Sequence, residues 1–359
     1  MELKKGISFW GYSMSYGSGR MSVEDMLAAA KKAGATGIEL LPNRTALSAY
    51  PTYTQKDVET WFELLGKYQL TPICNAAMIV CNLDWACGAT RKLKKQAAAA
   101  PDGAMSMANN PMLKNAHLGA SHEEMVQLMR QEIDYTKAFG FRRMRHPLMT
   151  GVSKEAIEET LLYAEDNGIA LDLEIHAPYD LEGPEVTWQL EMIERKHAKL
   201  SGLIPDLNAF QDKVEPAFRR STEARGAEKD LLDYMDQALA AHEDMKKVAD
   251  EIYTRTENDA TLDYADHVST LHPNNPEKLR DLAPYIHHFH AKFFEMAPDA
   301  SRELVFDYPY FLKLLKDIGY SGYLMSEYEG YMYAGKNGLE EIEQIELQMK
   351  MIREIENKL

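Results

Sequence analysis

The chain alternates between amphipathic helical stretches and short apolar runs, and the two kinds of segment follow each other in a fixed order. In the clearest cases an amphipathic stretch ends at a glycine, and a short apolar run begins a few residues later. These segments are AAAKKAGATGIELLPN, YTKAFGFRRMRHP, LLYAEDNGIALDLEIH and LLKDIGYSGYLMSEYEG. A glycine directly after a helix is a common way to end it. Strands that alternate with helices are typical of a parallel sheet.

Eight apolar runs fit the strand half of this pattern. They lie near 7–12, 37–41, 71–75, 142–146, 170–176, 202–206, 286–292 and 322–327. Eight strand–helix units close most naturally into a barrel. We therefore predict a (β/α)8 TIM barrel in which residues 1–359 form a single domain. A doubly wound open sheet is the alternative, but the YGSGR after the first run matches neither glycine-rich nucleotide-binding fingerprint.

Two segments interrupt the pattern. Residues 76–121 form a long loop after the third strand, and residues 211–266 form a charged, helix-rich insertion after the sixth. Both would leave the carboxyl face of the barrel, which is the face that carries active sites. A long loop there often acts as a lid. We expect the 211–266 insertion to lie outside the barrel, as a solvated helical pair or a subunit contact rather than a catalytic element.

The seventh strand carries an unusual set of side chains for a buried segment. Along YIHHFHAKFFEM, residues 285–296, alternation places His288, His290 and Lys292 on one face and His287 on the other. Buried polar groups are costly without partners, so the first face must meet other polar groups inside the barrel. We expect His287, on the opposite face, to be structural.

Acidic and imidazole side chains also stand at the ends of the neighbouring strands. The fifth strand ends with Glu174 and His176, the sixth with Asp206, and the eighth with Glu327 and Glu329. Parallel strands end at one face, so these groups are expected to meet the imidazoles of the seventh strand. Three carboxylates and a neutral imidazole suit manganese, magnesium or cobalt better than a metal that prefers thiolates. A bound cation would also supply the counter-charge for acids that are buried together.

The composition limits the kinds of partner and the cellular compartment that we expect for this protein. The 359 residues carry a net charge of −16, which argues against nucleic acid and anionic membranes as partners. No apolar run approaches the length of a membrane span, and the apolar run in MELKKGISFWGYSMS is too short for a signal peptide. Cys74, Cys81 and Cys87 give no disulfide framework, so we expect a cytoplasmic protein.

These motifs resemble the xylose isomerase-like barrel superfamily of sugar isomerases, epimerases and endonuclease-type enzymes. The likeness rests on Glu174, on PDLNAF with Asp206, on HFHAK and on SEYEG. It implies that the metal ligands are Glu174, Asp206, His290 and Glu327, with Lys292 retained beside them. The chain departs from the family at Asn208, where many members have a histidine, and this argues against a ketose epimerase of the usual kind.

A narrower resemblance adds a substrate class. The stretch LHPNNPEKLRDLAPYIHHFHAKFFEM, with the later GYSGYLMSEYEG, is similar to the large subunits of bacterial C-glycoside deglycosidases. This resemblance implies a manganese-dependent barrel paired with a small β-sandwich subunit in an oligomer. It also implies a reaction that breaks the anomeric C–C bond between a 3-oxo sugar and an aromatic aglycone.

Chemistry on such a sugar requires a base beside the metal. The divalent ion would stabilise the enediolate formed when the carbon next to a carbonyl loses a proton. His146 and His176 stand at strand ends and are both candidates for the base, and Lys292 is a candidate for oxyanion stabilisation. The side chains assigned to substrate binding are Trp10, Tyr12 and His288, with Trp85 as a further aromatic candidate.

Three functions remain open from the sequence. A metal-dependent lyase on 3-oxo-C-glycosides and a sugar isomerase or epimerase share the enediolate step. The third is a metal-binding barrel without catalysis, or one subunit whose partner supplies the essential residues. DNA cleavage is a poor fourth, because the chain is acidic whereas DNA-binding faces are basic.

Overall fold

Eight strands lie in the residues that this computed structural model describes, 3–41, 50, 52–82, 116–330 and 340–359. They are β1 Lys4–Ser8, β2 Gly37–Leu40, β3 Thr71–Ala76, β4 Arg143–Arg145, β5 Ala170–Ile175, β6 Leu203–Pro205, β7 His288–Phe293 and β8 Tyr323–Tyr328. The strands pair in parallel in the order β6-β5-β4-β3-β2-β1-β8-β7. Single bridges from Leu203 to Ile286 and from Asp206 to His290 join β6 to β7. The predicted (β/α)8 TIM barrel is confirmed.

The first strand is shorter than predicted. Strand pairing ends at Ser8, and Phe9–Tyr12 form a 3-10 turn instead of continuing to residue 12. The Ser8 hydroxyl caps this turn because it accepts a hydrogen bond from the backbone N–H of Trp10. The side chains of the turn therefore do not alternate between the two faces of the sheet.

Helices alternate with the strands around the barrel and also make up the insertion after β6. They are α1 Ser13–Gly17, α2 Val23–Ala33, α3 Gln55–Tyr68, α4 His122–Ala138, α5 Lys154–Asp166, α6 Pro184–Lys196, α7 Pro216–Ala224, α8 Lys229–Ala240, α9 Met245–Arg255, α10 Asp259–Val268, α11 Leu279–Leu282, α12 Tyr308–Asp317 and α13 Glu341–Glu356. Each of α2, α3 and α4 begins with a capping box, in which a Ser or Thr hydroxyl and an acid three residues later satisfy backbone N–H groups. In the described ranges no helix has the length and apolar character needed to cross a membrane.

The insertion after β6 consists of four helices, α7 to α10, rather than the expected pair. These helices pack around an apolar cluster of their own, which includes Leu232, Ile252 and Tyr264. Arg219 on α7 forms ion pairs with Asp236 and other acids. The last helix, α10, continues past residue 266, the predicted end of the insertion. The loop predicted at 76–121 lies mostly outside the described residues.

Glycines on β1 and β2 make room for large side chains in the barrel interior. A Cβ atom at Gly6 would lie 2.1 Å from the Met325 sulfur, and one at Gly37 would lie 2.5 Å from the Tyr323 ring. Met325 and Tyr323 therefore fill the lower barrel. Glu327 is the next residue on the same face of β8, so it stands above them at the carboxyl end.

Gly202 lies where β6 meets β7, and the close approach of the chain there requires a residue without a side chain. An added Cβ would lie 2.3 Å from the Tyr285 carbonyl oxygen and 2.7 Å from the His287 ring. We expect Gly202→Ala to lower the free energy of unfolding by about 1–3 kcal/mol, the usual cost of overpacking. Urea unfolding followed by circular dichroism measures this change.

Gly66→Ala is the matched control, because Gly66 lies within α3 and nothing lies within 4 Å of an added Cβ. Alanine there should leave the stability unchanged or raise it by about 1 kcal/mol, owing to its higher helix propensity. If Gly202→Ala is as stable as the wild-type protein, then a residue without a side chain is not required where β6 meets β7.

Candidate metal centre and the cavity around it

Four side chains implied as metal ligands meet at the carboxyl end of the barrel. Glu174 lies near the end of β5, Asp206 follows β6, His290 lies in β7 and Glu327 in β8. One oxygen or ring nitrogen from each lies within 4.8 Å of the others, and all four residues are buried. The Nδ1 atom of His290 is 2.7 Å from Glu174 Oε1, 3.5 Å from Glu327 Oε2 and 3.7 Å from Asp206 Oδ2.

This donor set fits a divalent cation. Asp206 Oδ2 and Glu327 Oε2 are buried, yet neither accepts a hydrogen bond of good geometry from the described residues, which is costly unless a positive charge lies nearby. Burial raises the pKa of the Glu327 carboxyl to about 8, although the charges of Lys292 and His290 oppose this shift. Lys292 is the positive group beside these two oxygens, and a divalent ion would add further counter-charge for the clustered acids. Oxygen donors with one imidazole suit manganese, magnesium or cobalt.

Glu39 on β2 orients His290, and the sequence analysis missed it. Its Oε2 atom lies 2.9 Å from the Nε2 atoms of both His290 and His288, and its Oε1 atom accepts a 2.8 Å hydrogen bond from the Ser8 hydroxyl. Because a carboxylate only accepts, Nε2 of His290 carries a hydrogen and Nδ1 faces the other ligands. Burial alone would raise the pKa of Glu39, but the two imidazoles hold it well below its usual range. The available signal was an acid inside the apolar run GIELL.

Lys292 is held by three carboxylates. Its Nζ atom lies 3.0 Å from Asp206 Oδ2, 3.1 Å from Glu327 Oε2 and 3.1 Å from Glu329 Oε1. Burial alone would lower the pKa of Lys292, but these carboxylates raise it well above its usual range. The side chain is therefore an ammonium group, which suits electrostatic stabilisation rather than proton abstraction.

Arginines on β4 pair with acids on β5, a second feature that the sequence analysis did not identify. Arg145 lies 2.9 Å from Glu174, and Arg143 lies 2.7 Å from Asp172. Burial alone would raise the pKa of Glu174, but Arg145 and the imidazole of His290 lower it to about 2. Glu174 is therefore an ionised carboxylate before any cation binds.

The two candidate bases, His176 and His146, are held differently on the wall of one cavity. Nδ1 of His176 lies 2.7 Å from the Ala177 carbonyl oxygen, so Nδ1 carries a hydrogen and Nε2 has the lone pair of the neutral ring. His146 is buried, with Nε2 3.1 Å from Oε1 of Gln189, and burial lowers the pKa of His146 to about 4. The Gln189 amide nitrogen donates to two backbone carbonyls, which fixes the orientation of this amide.

Of the side chains assigned to substrate binding, Trp10 lies on the cavity wall. Tyr12 is instead buried in the apolar core, because it lies in the 3-10 turn rather than in a continued strand. His288 is buried one layer below His290, where its imidazole contacts the carboxylate of Glu39 on β2. Among the residues described, neither Tyr12 nor His288 lines the cavity. Trp85 lies outside the described residues.

The cavity has a volume of about 560 Å³, which is within the usual range for small-molecule sites. Polar residues that line it include Glu174, His176, Lys292 and Glu327, and apolar residues that line it include Trp10, Met78, Met149 and Phe294. The insertion and the turn after it supply a further wall, which includes Glu215, Lys246, His267 and Leu271. The insertion therefore forms part of the cavity, in contrast to the expectation of a solvated accessory element.

The acid–histidine cluster lies at the carboxyl end of the barrel, where TIM-barrel enzymes carry their active sites. Residues 27–355 match the family described as xylose isomerase-like TIM barrel, and the chain belongs to that family. Two solved structures share the fold. An L-ribulose 3-epimerase has a TM-score of 0.51 at 14% identity and covers 99% of this chain and 97% of its own. A sugar phosphate isomerase/epimerase from Parabacteroides distasonis has a TM-score of 0.50 at 13% identity, covering 99% and 96%.

Curated relatives are named as subunits of deglycosidases. The C-glycoside deglycosidase alpha subunit of Arthrobacter globiformis is 22% identical over 360 residues, which cover 98% of this chain and 92% of the relative. The 3'-dehydrocarminate deglycosidase alpha subunit of a Microbacterium species is 25% identical over 241 residues, which cover 60% and 67%. The family and these relatives support an enzyme that processes sugars.

Metal content tests the ligand set. We expect Asp206→Ala and Glu327→Ala to lose most of their bound manganese, because each removes a buried oxygen donor. Glu39→Gln should weaken binding by about 10–100-fold, the usual effect of removing a group that orients a ligand. Elemental analysis after dialysis against a manganese buffer measures these changes. His287→Ala, on the opposite face of β7, is the control that should keep its metal. A full complement in Asp206→Ala would rule out the assignment.

Proton release provides an independent test. Burial raises the pKa of the Glu327 carboxyl to about 8 and so favours its protonated form in the metal-free protein, and this form must lose its proton to bind a cation. Manganese binding should therefore release protons, and its affinity should rise as the pH increases toward about 8. Calorimetry in buffers with different ionisation enthalpies measures the release. Glu327→Gln should release fewer protons, and an enthalpy independent of the buffer would contradict this account.

Proposed function

We propose that this protein is a divalent-metal-dependent lyase that cleaves the C-glycosidic bond of 3-oxo-C-glycosides. The observation that carries the proposal is that two of the clustered metal-ligand candidates, Glu174 and Glu327, line the same cavity as the His176 imidazole and several apolar side chains. The names of the deglycosidase relatives support the choice of substrate class. Manganese is the proposed ion, with magnesium and cobalt as alternatives.

The proposed ligands are Glu174, Asp206, His290 and Glu327. When bound there, the cation supplies Lewis acidity that polarises a sugar carbonyl and makes the neighbouring C–H bond more acidic. Lys292 lies beside the ligands and is held in place before substrate arrives. Its ammonium group can stabilise negative charge on the carbonyl oxygen as the proton leaves, with little reorganisation.

His176 is the proposed base. Its Nδ1 hydrogen is donated to a backbone carbonyl, and Nε2 makes no hydrogen bond within the described part of the chain. The ring also lies close enough to influence the pKa of both Glu174 and Asp206. An imidazole in this position can accept a proton from a substrate that lies against the metal-ligand set. His146, buried against Gln189, is the alternative.

The apolar side of the cavity suits an aromatic aglycone. Met78, Met149, Trp10 and Phe294 line it, and methionine and aromatic side chains pack favourably against rings. A glycoside could therefore place its sugar at the ligands and its ring on this wall.

We also propose a partner. Both deglycosidase relatives described above are named alpha subunits, so the active form of this protein is proposed to include a small β-sandwich subunit within an oligomer.

A sugar isomerase or epimerase is the second candidate, because the ligand set and His176 would also serve that chemistry. A barrel that binds metal without catalysis of its own is the third. Manganese-loaded protein incubated with 3-oxo-C-glucosides, 3-oxo-O-glucosides and free ketoses separates these functions. Mass spectrometry would detect a released aglycone for a lyase and an isomeric sugar for an isomerase. Neither product and no deuterium uptake would favour the third function.

Replacement of the base should slow proton transfer without loss of the metal. We expect His176→Gln to lower kcat by about 10²–10⁴-fold, the usual contribution of a positioned acid or base. Exchange of the substrate α-proton with deuterated solvent should slow in parallel, because it requires the same group. Mass spectrometry follows the exchange, and elemental analysis follows the metal.

His146→Gln is the comparison variant and should have a smaller effect on both rates. Exchange at the wild-type rate in His176→Gln would exclude His176 as the base. A large loss confined to His146→Gln would assign that role to His146.

A further inference from the structure

The insertion contributes an imidazole–carboxylate pair to the cavity that holds the candidate metal centre. His267 on α10 and Glu215, the residue before α7, both line this cavity. Nε2 of His267 lies 2.8 Å from Oε2 of Glu215. Because a carboxylate only accepts hydrogen bonds, Nε2 of His267 carries the hydrogen that it donates to Glu215.

The burial of Glu215 shows that the pair is a built feature rather than a surface contact. Glu215 is 1% exposed, and a buried carboxylate is costly unless partners hold it. Those partners are His267 and Gln211, and among the described residues no lysine or arginine forms an ion pair with it. Burial alone would raise the pKa of Glu215, but His267 and Gln211 hold it below its usual range. Phe218 packs edge-on against the His267 ring at 4.6 Å.

A chain of buried hydrogen bonds connects this pair to the metal-ligand set. Asp206 Oδ1 accepts a 2.7 Å hydrogen bond from the backbone N–H of Asn208. The Asn208 amide donates to Gln211 Oε1 at 2.6 Å, and the Gln211 amide donates to Glu215 Oε1 at 3.0 Å. The pair is therefore held at a fixed position relative to the metal centre.

We propose that His267 is the general acid that protonates the leaving aglycone, with Glu215 as its positioning residue. The inference rests on the proposed lyase function, because only that reaction has an aglycone to release. A carboxylate behind an imidazole is the arrangement that orients histidine acids and bases in other enzymes.

The proposed step balances with two proton transfers. The base removes the proton from the carbon between the carbonyl and the anomeric carbon. The electron pair of that C–H bond becomes a C=C bond to the anomeric carbon, and the bond to the aglycone breaks with its electrons on the aglycone. His267 donates one proton to that aglycone atom. The products are an unsaturated 3-oxo sugar and a neutral aglycone, without any oxidant or reductant.

Both lysines on the cavity are less suitable proton donors. Lys292 is held by three carboxylates at the metal-ligand set, and Lys246 is exposed to solvent. His176 is the proposed base and accepts a proton in the same turnover. An aryl group that departs through carbon is too basic to leave as an anion, so it must be protonated. A nitrophenolate is a stable anion and leaves without protonation. Loss of the acid should therefore slow the reaction only for substrates with poor leaving groups.

The test compares leaving groups on one sugar, with the manganese-loaded protein. The substrates are 3-oxo-glucosides of a C-linked phenolic ring, of O-linked phenol and of O-linked 4-nitrophenol. For His267→Gln, kcat should fall about 10²–10⁴-fold with the first two, and by less than about 10-fold with nitrophenol. The rate of exchange of the α-proton should stay within about twofold of the wild-type rate, because His176 rather than His267 is proposed to remove that proton.

Two further variants complete the design. His272→Gln is the matched control, because His272 also pairs with a carboxylate, Asp180 at 3.3 Å, but on the exposed surface; it should behave as wild type with all three substrates. Glu215→Gln should show the same dependence on leaving group with smaller losses. It also keeps the proposal testable if His267→Gln does not fold.

The possible outcomes separate the two proposals. Equal losses with all three substrates, or a parallel loss of exchange, would overturn the role of His267 as the acid. Wild-type rates in His267→Gln would overturn it as well. If the wild-type protein exchanges the α-proton but cleaves none of the glycosides, the lyase function itself is refuted, and the proposed acid with it.

Discussion

The balance of buried charge at the carboxyl end of the barrel is the constraint on which the rest of the structure depends. Carboxylates from β2, β5, β6 and β8 converge on His290 and Lys292. In the interior each of these acids is costly unless a positive group lies beside it. The same residues close the barrel, because Asp206 and His290 face each other where β6 meets β7. The charged cluster therefore lies at the place where the sheet closes.

Glu39 determines the orientation of the His290 ring within this cluster of charges. It accepts from Nε2 of both His288 and His290, so the Nδ1 atom of His290 is directed to the other ligands. Ser8 holds its second carboxylate oxygen, and three strands thus fix one imidazole. A ligand whose partners lock it in this way is in position before a cation arrives. His288 is then a supporting residue, which explains why a histidine predicted to meet substrate is buried below the cavity.

The sequence predicted the features that follow from local periodicity. Alternation along β7 and acids at the ends of parallel strands indicate both a barrel and a polar meeting point, because period two and a common strand direction determine them. Glu39 was missed because a lone acid in a four-residue strand has no sequence neighbour that reveals its partner. Tyr12 was misplaced because the Ser8 hydroxyl caps a turn within an otherwise strand-like pattern. The contact of the insertion with the cavity depends on long-range packing, and its composition is equally typical of a solvated helix pair.

The segment from Asp206 to Glu215 joins two units that have separate apolar cores. At one end it carries an acid of the candidate metal centre, and at the other the carboxylate that holds His267. Asn208 and Gln211 link these ends through buried hydrogen bonds, so a shift of the insertion would strain contacts at the barrel. Because the core of the insertion is its own, substitutions on its cavity face can change the cavity without disturbing the charge balance at the strand ends. In the proposed reaction, the barrel would activate the bond to be broken, and the insertion would supply the acid for the leaving group.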